Sequence, residues 1–424
     1  MVPTADGAGD QSGAGPREPQ ALLDPTDPAF IDDPYPRLAL LRESAAVHRD
    51  EHLGLWLLTR HADVQAAQRD RRLGRVQRGH AEPEDFRPIR DLDLSVDPGP
   101  YYRVERYSLL MLEPPEHTRI RGLVSRAFTP RRVRDLRTPI RSIADRLLTD
   151  LAGRETFDLL GDYAQPFSIR VIASLLGAPT DEADKLLAWS HAIVKMYELS
   201  TTAEQAEAAI RASEEFTDWT IDLIHQRRAA PTGDLISALC FAETEDGTLS
   251  DAEIVSTVIL LLNAGHEATV NTMGNGMTAM LRSSGSWDSV VSGAVAADVA
   301  IEEMIRWDPP LQLFERWVLT DDYEVGGVRI PEGDEIAMLF GSANRDPRQF
   351  TDPDRFDASR GDTSHITFGA GVHYCLGAPL ARLELEVAVE RLAARRPRLE
   401  LAADPVRIPA FVIRGYESVM LTGG

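Results

Sequence analysis

Cysteines, lysines and long apolar runs are all scarce in this sequence. Two cysteines among 424 residues cannot build a disulfide framework, so we expect a reducing, cytoplasmic setting. Lysine occurs only at Lys185 and Lys195, and arginine supplies nearly all of the positive charge, a usage typical of GC-rich bacterial genomes. The most apolar run, residues 258–262, is too short to cross a bilayer, which takes about 20 residues. A disulfide-stabilised secreted domain and a membrane-spanning protein are therefore both excluded.

The charge of the chain is strongly one-sided. Lys and Arg number 45 against 67 Asp and Glu, which gives a formal net charge of −22. Such an acidic balance argues against general affinity for nucleic acid or anionic membranes, and we expect no membrane anchor. Hydrophobic residues make up 43% of the chain, enough for the core of one large domain or two ordinary ones.

The first 19 residues differ from the rest of the chain. Residues 1–19 are small, polar and glycine-rich, without the apolar segment of a signal peptide, and predict a disordered tail. The remainder shows mainly helical patterns, with apolar residues three or four apart. The clearest helical segments are residues 137–151, 168–176, 203–227, 251–281 and 297–307. The strand-like segments are residues 54–59, 323–339 and a terminal hairpin at 410–421, with Gly415 in its turn. The pattern predicts one large, mainly α domain with small β-sheets.

The two cysteines differ in their surroundings. Cys240 lies in the helical stretch LISALCFAE, where a lone cysteine usually acts as a small hydrophobe. Cys375 lies in FGAGVHYCLGAPLAR, among glycines and just before a helix that begins near Pro379. The N–H groups and dipole at a helix N-terminus favour a thiolate over a thiol. Because no second cysteine or His-x-x-His pair nearby suggests zinc, the simplest role of Cys375 is a single axial thiolate ligand to haem iron.

The segment FGAGVHYCLG resembles the haem loop of the cytochrome P450 family. It matches every defining position of that motif: Phe368, Gly369, Gly371, Cys375 and Gly377. The resemblance extends from about residue 22 to the C-terminus, because further family landmarks follow in order. It implies the cytochrome P450 fold, as one haem-thiolate domain over residues 20–424 of the soluble, bacterial and actinobacterial type. It also implies haem b as cofactor, with Cys375 as the metal ligand and Phe368, Gly369 and Gly377 beside it.

Glu303 and Arg306 lie three residues apart in the helical segment EEMIR. Taken alone, this spacing is that of an ordinary surface ion pair worth a few tenths of a kcal/mol. In the family, the pair joins the arginine of a Pro-x-Arg-Phe segment, matched here by Arg355 in PDRF. The resemblance therefore implies that these three residues form a buried structural network behind the haem loop.

His117 and Arg121, in EPPEHTRIR, are four residues apart and share one helical face. As a bare motif, this spacing is more typical of a solvated surface than of a site. The resemblance implies that both donate hydrogen bonds to the haem propionates, together with Arg316 in LFERW and His373 in the cysteine loop. Several cations around two buried carboxylates are physically reasonable, since an unpaired buried charge is costly.

Residues 119–137 form a basic run inside an acidic protein. Taken alone, the run predicts a solvated arginine face. By the resemblance it lies on the proximal side of the haem, where an acidic ferredoxin docks and where complementary charge speeds the encounter. Nucleic-acid binding is the less favoured interpretation, because aromatic residues do not alternate with the basic ones.

Ser250 and Glu253 form a capping box that predicts the start of the long helix at residues 251–281. Between residues 254 and 281 its only ionisable residues are His266 and Glu267. A carboxylate in such an apolar helix is costly unless it is solvated or functional.

The middle of this helix departs from the family pattern. In the family it reads Ala/Gly-Gly-x-Asp/Glu-Thr, where the acid and the alcohol relay protons to dioxygen. Here AGHEAT supplies Ala264, Gly265 and Glu267, but Ala268 stands where threonine is usual. Alanine donates no hydrogen bond, and Thr269 is turned about 100° around the helix. The resemblance implies that ordered water or a hydroxyl group of the substrate completes the relay.

The resemblance implies a monomeric haem-thiolate monooxygenase that inserts one oxygen atom of O₂ into a small molecule. Its electrons come from a ferredoxin and a ferredoxin reductase, since the sequence contains no fused flavin or iron–sulfur domain. Two alternatives stay open: a family member that couples, desaturates or uses peroxide, which the missing threonine leaves open, and a haem sensor or recruitment domain without turnover, against which the intact cysteine loop, acid and propionate residues argue. The predicted pocket comprises the variable residues 77–106 together with Leu260, Asn263, Gln312, Leu313, Val412 and Ile413. Its mostly apolar lining favours a moderately hydrophobic substrate such as a secondary-metabolite scaffold.

Overall fold

The computed structural model describes residues 22–76, 92–199, 201–245 and 247–423. The predicted tail, residues 1–19, and residues 77–91 of the variable region lie outside the described residues. Within the described part the chain is mainly helical with small β-sheets, as the sequence predicts.

The α-helices are named here in chain order. They are α1 (Pro28–Asp32), α2 (Tyr35–Ser44), α3 (His61–Ala67), α4 (Gly99–Glu105), α5 (Glu116–Ala127), α6 (Pro130–Asp135), α7 (Arg137–Asp150), α8 (Gln165–Leu176), α9 (Ala183–Val194), α10 (Ala203–Ala229), α11 (Leu235–Cys240), α12 (Asp251–Arg282), α13 (Ser286–Val291), α14 (Ala297–Trp307), α15 (Phe340–Ala343) and α16 (Ala378–Arg395). A π-helical turn, Leu159–Ala164, leads into α8.

The strands are short. They are β1 (Val47–Asp50), β2 (Leu55–Leu58), β3 (Leu73–Gly74), β4 (Thr156–Asp158), β5 (Glu243–Thr244), β6 (Gly247–Thr248), β7 (Leu313–Val318), β8 (Glu324–Val325), β9 (Val328–Arg329), β10 (Glu335–Leu339), β11 (Glu400–Leu401), β12 (Val406–Arg407), β13 (Tyr416–Ser418) and β14 (Met420–Thr422). Five of them form the largest sheet, in the order β1-β2-β10-β7-β3.

The central strand of this sheet, β10, is buried along its whole length. It pairs in parallel with β2 and antiparallel with β7, so that Ala337 lies opposite Leu57 on one side and Glu315 on the other. Alternate residues of the strand enter different apolar clusters, Ile336 one and Ala337 the other. Its burial on both faces fits its continuous apolar run.

The longest helix, α12, is the axis on which several other elements pack. The hydroxyl of Ser250 accepts from the N–H of Glu253, whose carboxylate accepts from the N–H of Ser250, and this confirms the predicted capping box. Helices α4, α8, α10 and α14 pack against α12. The contact with α14 is close because Gly276 lacks a side chain: a Cβ there would lie 2.4 Å from Cβ of Met304. None of the helices in the described residues is both long and apolar enough to cross a membrane.

The prediction of a terminal hairpin at residues 410–421 is wrong, because the two strands of this segment do not pair with each other. Strand β13 pairs with β12, whereas β14 pairs with β4 and β11. Gly415 lies instead where the chain touches α12, because a Cβ there would come within 2.0 Å of Oδ1 of Asn271. Alternating apolar residues show that a segment is extended, but they do not show which strand it pairs with.

Candidate active site

The loop that carries Cys375 is a closed turn before α16. The N–H of Cys375 donates to the carbonyl oxygen of Phe368 at 2.8 Å. Gly369 and Gly371 both have left-handed backbone angles, with φ of 71° and 69°, which other residues rarely adopt. Cys375 and Gly369 line a cavity of about 300 Å³. The loop therefore presents its sulfur to an internal space.

The sulfur of Cys375 has opposing electrostatic influences. Burial raises the pKa of the thiol above its usual value, while the N–H groups of Gly377 and Ala378 and the guanidinium of Arg121 lower it. The start of α16 therefore stabilises the thiolate as predicted, but in the polypeptide alone the effect of burial on the thiol pKa is larger. Coordination to a metal cation deprotonates a thiol.

The four predicted propionate donors converge on this cavity. Arg121, Arg316 and His373 line it, and the ring of His117 lies 4.6 Å from that of His373 between centroids. Burial lowers the pKa of Arg316 to about 9 and that of His117 to about 4. Within the described residues, Nη1 of Arg316 and Nε2 of His117 are buried without a hydrogen-bond partner.

The sequence reasoning missed Glu113 in this cluster. Its Oε1 lies 3.2 Å from Nε2 of His373 and 4.0 Å from Nη1 of Arg316, and it accepts from the N–H of Arg75 at 2.9 Å. Although burial opposes this, His373 and Arg316 lower the pKa of Glu113. Glu113 is the first residue of the EPPEHTRIR segment, four residues before His117. The sequence signal for it was therefore one helical turn from the histidine that was predicted.

The residues present fit haem b. Its two propionates are carboxylates. They can accept hydrogen bonds from Nη1 of Arg316 and Nε2 of His117, which lack a hydrogen-bond partner within the described residues. One carboxylate, Glu113, does not balance the surrounding cations, so an added anionic group is favoured there.

Glu303 and Arg306 form a fully buried, two-point ion pair. Nε of Arg306 donates to Oε2 of Glu303 at 2.7 Å, and Nη2 donates to Oε1 at 2.9 Å. The remaining donor, Nη1, reaches the carbonyl oxygens of Asn344 and Pro353. The spacing therefore corresponds to a core network and not to a surface pair.

The prediction that Arg355 completes this network needs correction. Arg355 is exposed and donates to Asp357 at 2.8 Å. The third member is Arg360, whose Nε donates to Oε2 of Glu303 at 3.0 Å and which also binds carbonyl oxygens of Thr351, Asp352 and Arg355. Asp352, one of the residues whose carbonyl oxygen Arg360 binds, has a left-handed φ of 46°.

A second network joins α14 to α16. Arg382 donates to Glu302 through Nε at 2.6 Å and Nη2 at 3.0 Å, and Nε2 of His365 lies 2.9 Å from the same carboxylate. Although burial raises it, these two partners lower the pKa of Glu302 to about 2. Arg382 follows Cys375 in the quoted loop, so this network also supports the cysteine loop.

The middle of α12 separates two cavities. Ala264 and Ala268 line both the cavity at Cys375 and a neighbouring one of about 520 Å³. Gly265 and Thr269 line only the first, and Glu267 only the second. Burial raises the pKa of Glu267 to about 7.

Gly265, which lines the cavity at Cys375, is also a packing position. A Cβ there would lie 2.9 Å from Cδ1 of Ile172, so the glycine allows α8 to approach α12 closely.

Most of the individually predicted pocket residues line the larger cavity. Leu260, Asn263, Leu313, Val412 and Ile413 all line it. Within the described residues, Oδ1 of Asn263 is buried without a hydrogen-bond partner.

Gln312 does not belong to this pocket. Its amide donates to the carbonyl oxygen of Pro309 at 2.8 Å and contacts Tyr35 and Asp308 at 3.3 Å. Gln312 precedes Leu313 at the start of β7, and successive side chains of an extended chain point to opposite sides. The neighbour of a pocket residue therefore points into the core.

Two acidic residues also line this cavity: Glu105, within the predicted variable residues 77–106, and Glu198, outside every predicted pocket segment. Glu105 is buried at the end of α4, and burial raises its pKa to about 7. Glu198 accepts from the N–H groups of Phe411, Val412 and Ile413 at 2.8–3.2 Å and so holds the C-terminal segment in place. No sequence motif marks either residue.

Comparison with known proteins agrees with this geometry. A family model described as Cytochrome P450 matches residues 98–285 and 296–395. Cytochrome P450 107B1 of Saccharopolyspora erythraea is 36% identical over 94% of this chain and 97% of its own length. The 6-deoxyerythronolide B hydroxylase of the same organism is 35% identical, over 89% and 92%. The solved structure of cytochrome P450 PksS of the Bacillus subtilis 168 bacillaene polyketide synthase aligns with a TM-score of 0.84 and 33% identity, covering 95% of this chain and 100% of that one.

These matches confirm the predicted fold as a single domain and the predicted cofactor, haem b with an axial cysteine thiolate. They also confirm the enzyme class, since the relatives include a named hydroxylase. The chain belongs to the cytochrome P450 family and is a monooxygenase of the bacterial type.

Proposed function

We propose that this enzyme holds haem b through Cys375, takes electrons from an acidic ferredoxin and its reductase, and oxygenates a moderately hydrophobic secondary-metabolite scaffold. When bound, the haem supplies the activation of dioxygen. The observation that carries the proposal is the contact between two cavities: Cys375 lines one, the pocket residues line the other, and Ala268 lines both.

In this proposal the cation cluster orients the cofactor. Arg121 and Arg316 neutralise the propionates, as charged donors bind carboxylates strongly, and His117 and His373 donate hydrogen bonds to them. Glu113 holds His373 through its contact at 3.2 Å. The buried Glu303–Arg306 pair supports the cysteine loop from behind and takes no part in the chemistry.

Glu267 is the proton carrier of this proposal. Its carboxyl group lines the substrate cavity, and a pKa of about 7 lets the group both hold and release a proton near neutral pH. Ala268 donates no hydrogen bond and lines both cavities, so a hydroxyl group of the substrate or an ordered water completes the relay there.

The lining of the larger cavity supports the substrate class. Leu260, Leu313, Val412 and Ile413 present apolar side chains, and about 520 Å³ lies within the usual range of ligand pockets, about 300–1,000 Å³. The names of two relatives, a hydroxylase of 6-deoxyerythronolide B and a cytochrome P450 of a polyketide synthase, support a substrate from secondary metabolism.

The surface behind Cys375 supports an acidic electron donor. Helix α6 packs against α16, the helix that follows the cysteine loop, and its Arg131, Arg132 and Arg134 are exposed. Val372 and Tyr374 of the loop are also exposed. A cationic rim around apolar side chains suits a negatively charged protein partner.

The haem ligand is tested with the two cysteines. Reduced, CO-bound wild-type protein is expected to show the red-shifted Soret band of a thiolate-ligated haem. Cys375→Ser should lose this band, and the matched variant Cys240→Ser should keep it, because Cys240 lies at the end of α11. An unchanged spectrum in Cys375→Ser would remove the basis of the proposal.

The docking surface is tested by changing Arg131, Arg132 and Arg134 together to Gln. Ferredoxin-driven reduction should slow, most at low ionic strength where screening is weakest, while substrate binding stays unchanged. A matched control changes three other exposed arginines of α10 and α12, namely Arg211, Arg228 and Arg282, to Gln. Equal reduction rates in both triple variants would place the docking surface elsewhere.

Ala268 also favours a second outcome, coupling or desaturation without oxygen transfer. Turnover under ¹⁸O₂ separates the two, since hydroxylation places one labelled atom in the product. A product without the label would support the second outcome and contradict oxygen insertion.

A further inference from the structure

A cluster of three side chains lies where α9 packs against α12. His191 is in the last turn of α9, and His266 and Glu267 are in the middle of α12. Nε2 of His191 is 3.3 Å from Oε1 of Glu267, and the rings of the two histidines are 5.9 Å apart between centroids. One ligand atom of each side chain lies within 4.8 Å of the other two. Two imidazoles and one carboxylate thus surround one point.

Two of these side chains contain buried polar atoms without hydrogen bonds in the described part of the chain. His266 is fully buried, and among the described residues neither of its ring nitrogens has a partner. Oε1 of Glu267 likewise receives no hydrogen bond there. Unsatisfied buried polar atoms are costly and uncommon, and a missing ion is one of the physical explanations for them.

We propose that His191, His266 and Glu267 bind one divalent transition-metal cation of the zinc type. Two imidazole nitrogens and a carboxylate oxygen form a ligand set that Zn²⁺ accepts, with water in the remaining position. Two ligand atoms about 2.1 Å from a tetrahedral ion lie about 3.4 Å from each other, close to the 3.3 Å between His191 and Glu267. His191 is 44% exposed, which provides an entry path.

One neighbouring cation opposes this site. Lys195, just after α9, acts on the charges of both His191 and Glu267. It repels a divalent ion, so its removal should strengthen binding. The site goes beyond the proposed oxygenation, because metal binding requires neither substrate nor electron donor. A bound ion would occupy Oε1 of Glu267 and link α9 to α12, and while bound it would withdraw Glu267 from the proton relay.

The test is a calorimetric titration of the tag-free, haem-loaded protein with ZnCl₂ at neutral pH after chelator treatment. Wild type is expected to bind one Zn²⁺. His191→Ala should weaken this binding at least about tenfold, since loss of even an outer-shell partner costs about 10–100-fold. Lys195→Ala should tighten it. His225→Ala, an exposed histidine of α10, is the matched control and should leave it unchanged.

His191 is the position of choice because it is half-exposed and its loss leaves the core intact. Glu267→Gln gives a second, nearly isosteric test and should also weaken Zn²⁺ binding. Equal affinity of wild type and His191→Ala would overturn the proposal, as would an equal loss in His225→Ala. Absence of a one-to-one Zn²⁺ site in wild type would overturn it as well.

Discussion

Two regions of this molecule bury ionisable groups, and they do so in opposite ways. At the end of α14, Arg306 and Glu303 are fully buried and hydrogen-bonded to each other and to the surrounding backbone. In the middle of α12, His266 and Oε1 of Glu267 are also buried but receive no hydrogen bonds within the described residues. Paired charges hold elements in place, whereas unpaired groups stay free to bind a proton, a ligand or a cation.

The energetic contrast follows from desolvation. A buried charge is tolerated when its donors and acceptors are satisfied, and removing one partner leaves the other charge stranded. Burial disfavours the charged form of a carboxyl group that receives no hydrogen bond, as the raised pKa of Glu267 shows. The comparison can therefore be tested by removing charge from each region.

The largest effect is expected for Arg306→Ala. Loss of one partner of a buried pair costs about 3–5 kcal/mol, so the variant should give little soluble, haem-loaded protein. Urea unfolding and haem content measure this. Arg360→Ala should have a smaller effect, and Arg355→Ala should have almost none, because Arg355 is exposed. Normal folding and haem content in Arg306→Ala would remove the contrast between the regions.

A smaller, pH-dependent effect is expected for Arg382→Ala. Hydrogen bonds to charged groups contribute about 1.5–3 kcal/mol, and the partner Glu302 has a folded pKa of about 2, below its usual 4.5. A depressed carboxyl pKa contributes stability above the unfolded value, and this contribution is lost as the pH falls through the folded value. The stability difference between wild type and Arg382→Ala should therefore be constant near neutral pH.

Below pH about 4.5, the stability difference between wild type and Arg382→Ala should become smaller as the pH falls toward about 2. Thermal unfolding at a series of pH values measures it, with Arg355→Ala as a control whose difference from wild type stays near zero. His365 and Arg382 are the partners that face Glu302. A difference that persists unchanged at pH about 3 would show that Glu302 is not the titrating group.

In the unpaired region, Glu267→Gln should change the unfolding free energy by less than about 1 kcal/mol, since no hydrogen bond to Oε1 is lost. Turnover should nevertheless fall, by about 10²-fold or more, because an amide does not release a proton. Paired measurements of stability and of product formed per NAD(P)H test this prediction. A loss of several kcal/mol would instead show that Glu267 is a structural group.

The smallest effect on stability is expected for Ala268→Thr, which adds a donor to the unpaired region. If a hydroxyl group of the true substrate completes the relay, the threonine should displace it and lower product per NAD(P)H. A simple substrate without a hydroxyl should instead gain coupling, since the donor then sits where charge develops. Equal gains for both substrates would contradict the role of the substrate hydroxyl.

Features defined by neighbours in the chain could be predicted from the sequence. Ser250 and Glu253 are three residues apart, so their capping box was visible directly, and α12 ends at Arg282, one residue beyond the predicted bound. The glycines around Cys375 marked a tight loop before a helix, and the structure has that loop. Local spacing determines local backbone conformation, because the interacting atoms are only a few bonds apart.

Features that depend on residues far apart in the chain could not be predicted from the sequence. Arg360 and Arg355 lie in one short segment, yet Arg360 reaches Glu303 and Arg355 pairs with Asp357 at the surface. Gln312 and Leu313 are adjacent, yet one enters the core and the other the cavity, because the strand alternates its side chains.

The sequence by itself determined that this chain is a mainly helical protein with one cysteine poised before a helix. Only the tertiary structure decided which charges are paired. His191 is 76 positions before Glu267, and no spacing rule connects them, but the packing of α9 on α12 brings their side chains to 3.3 Å. The physical reason is that a buried charge is governed by the groups around it in space, which packing selects from the whole chain.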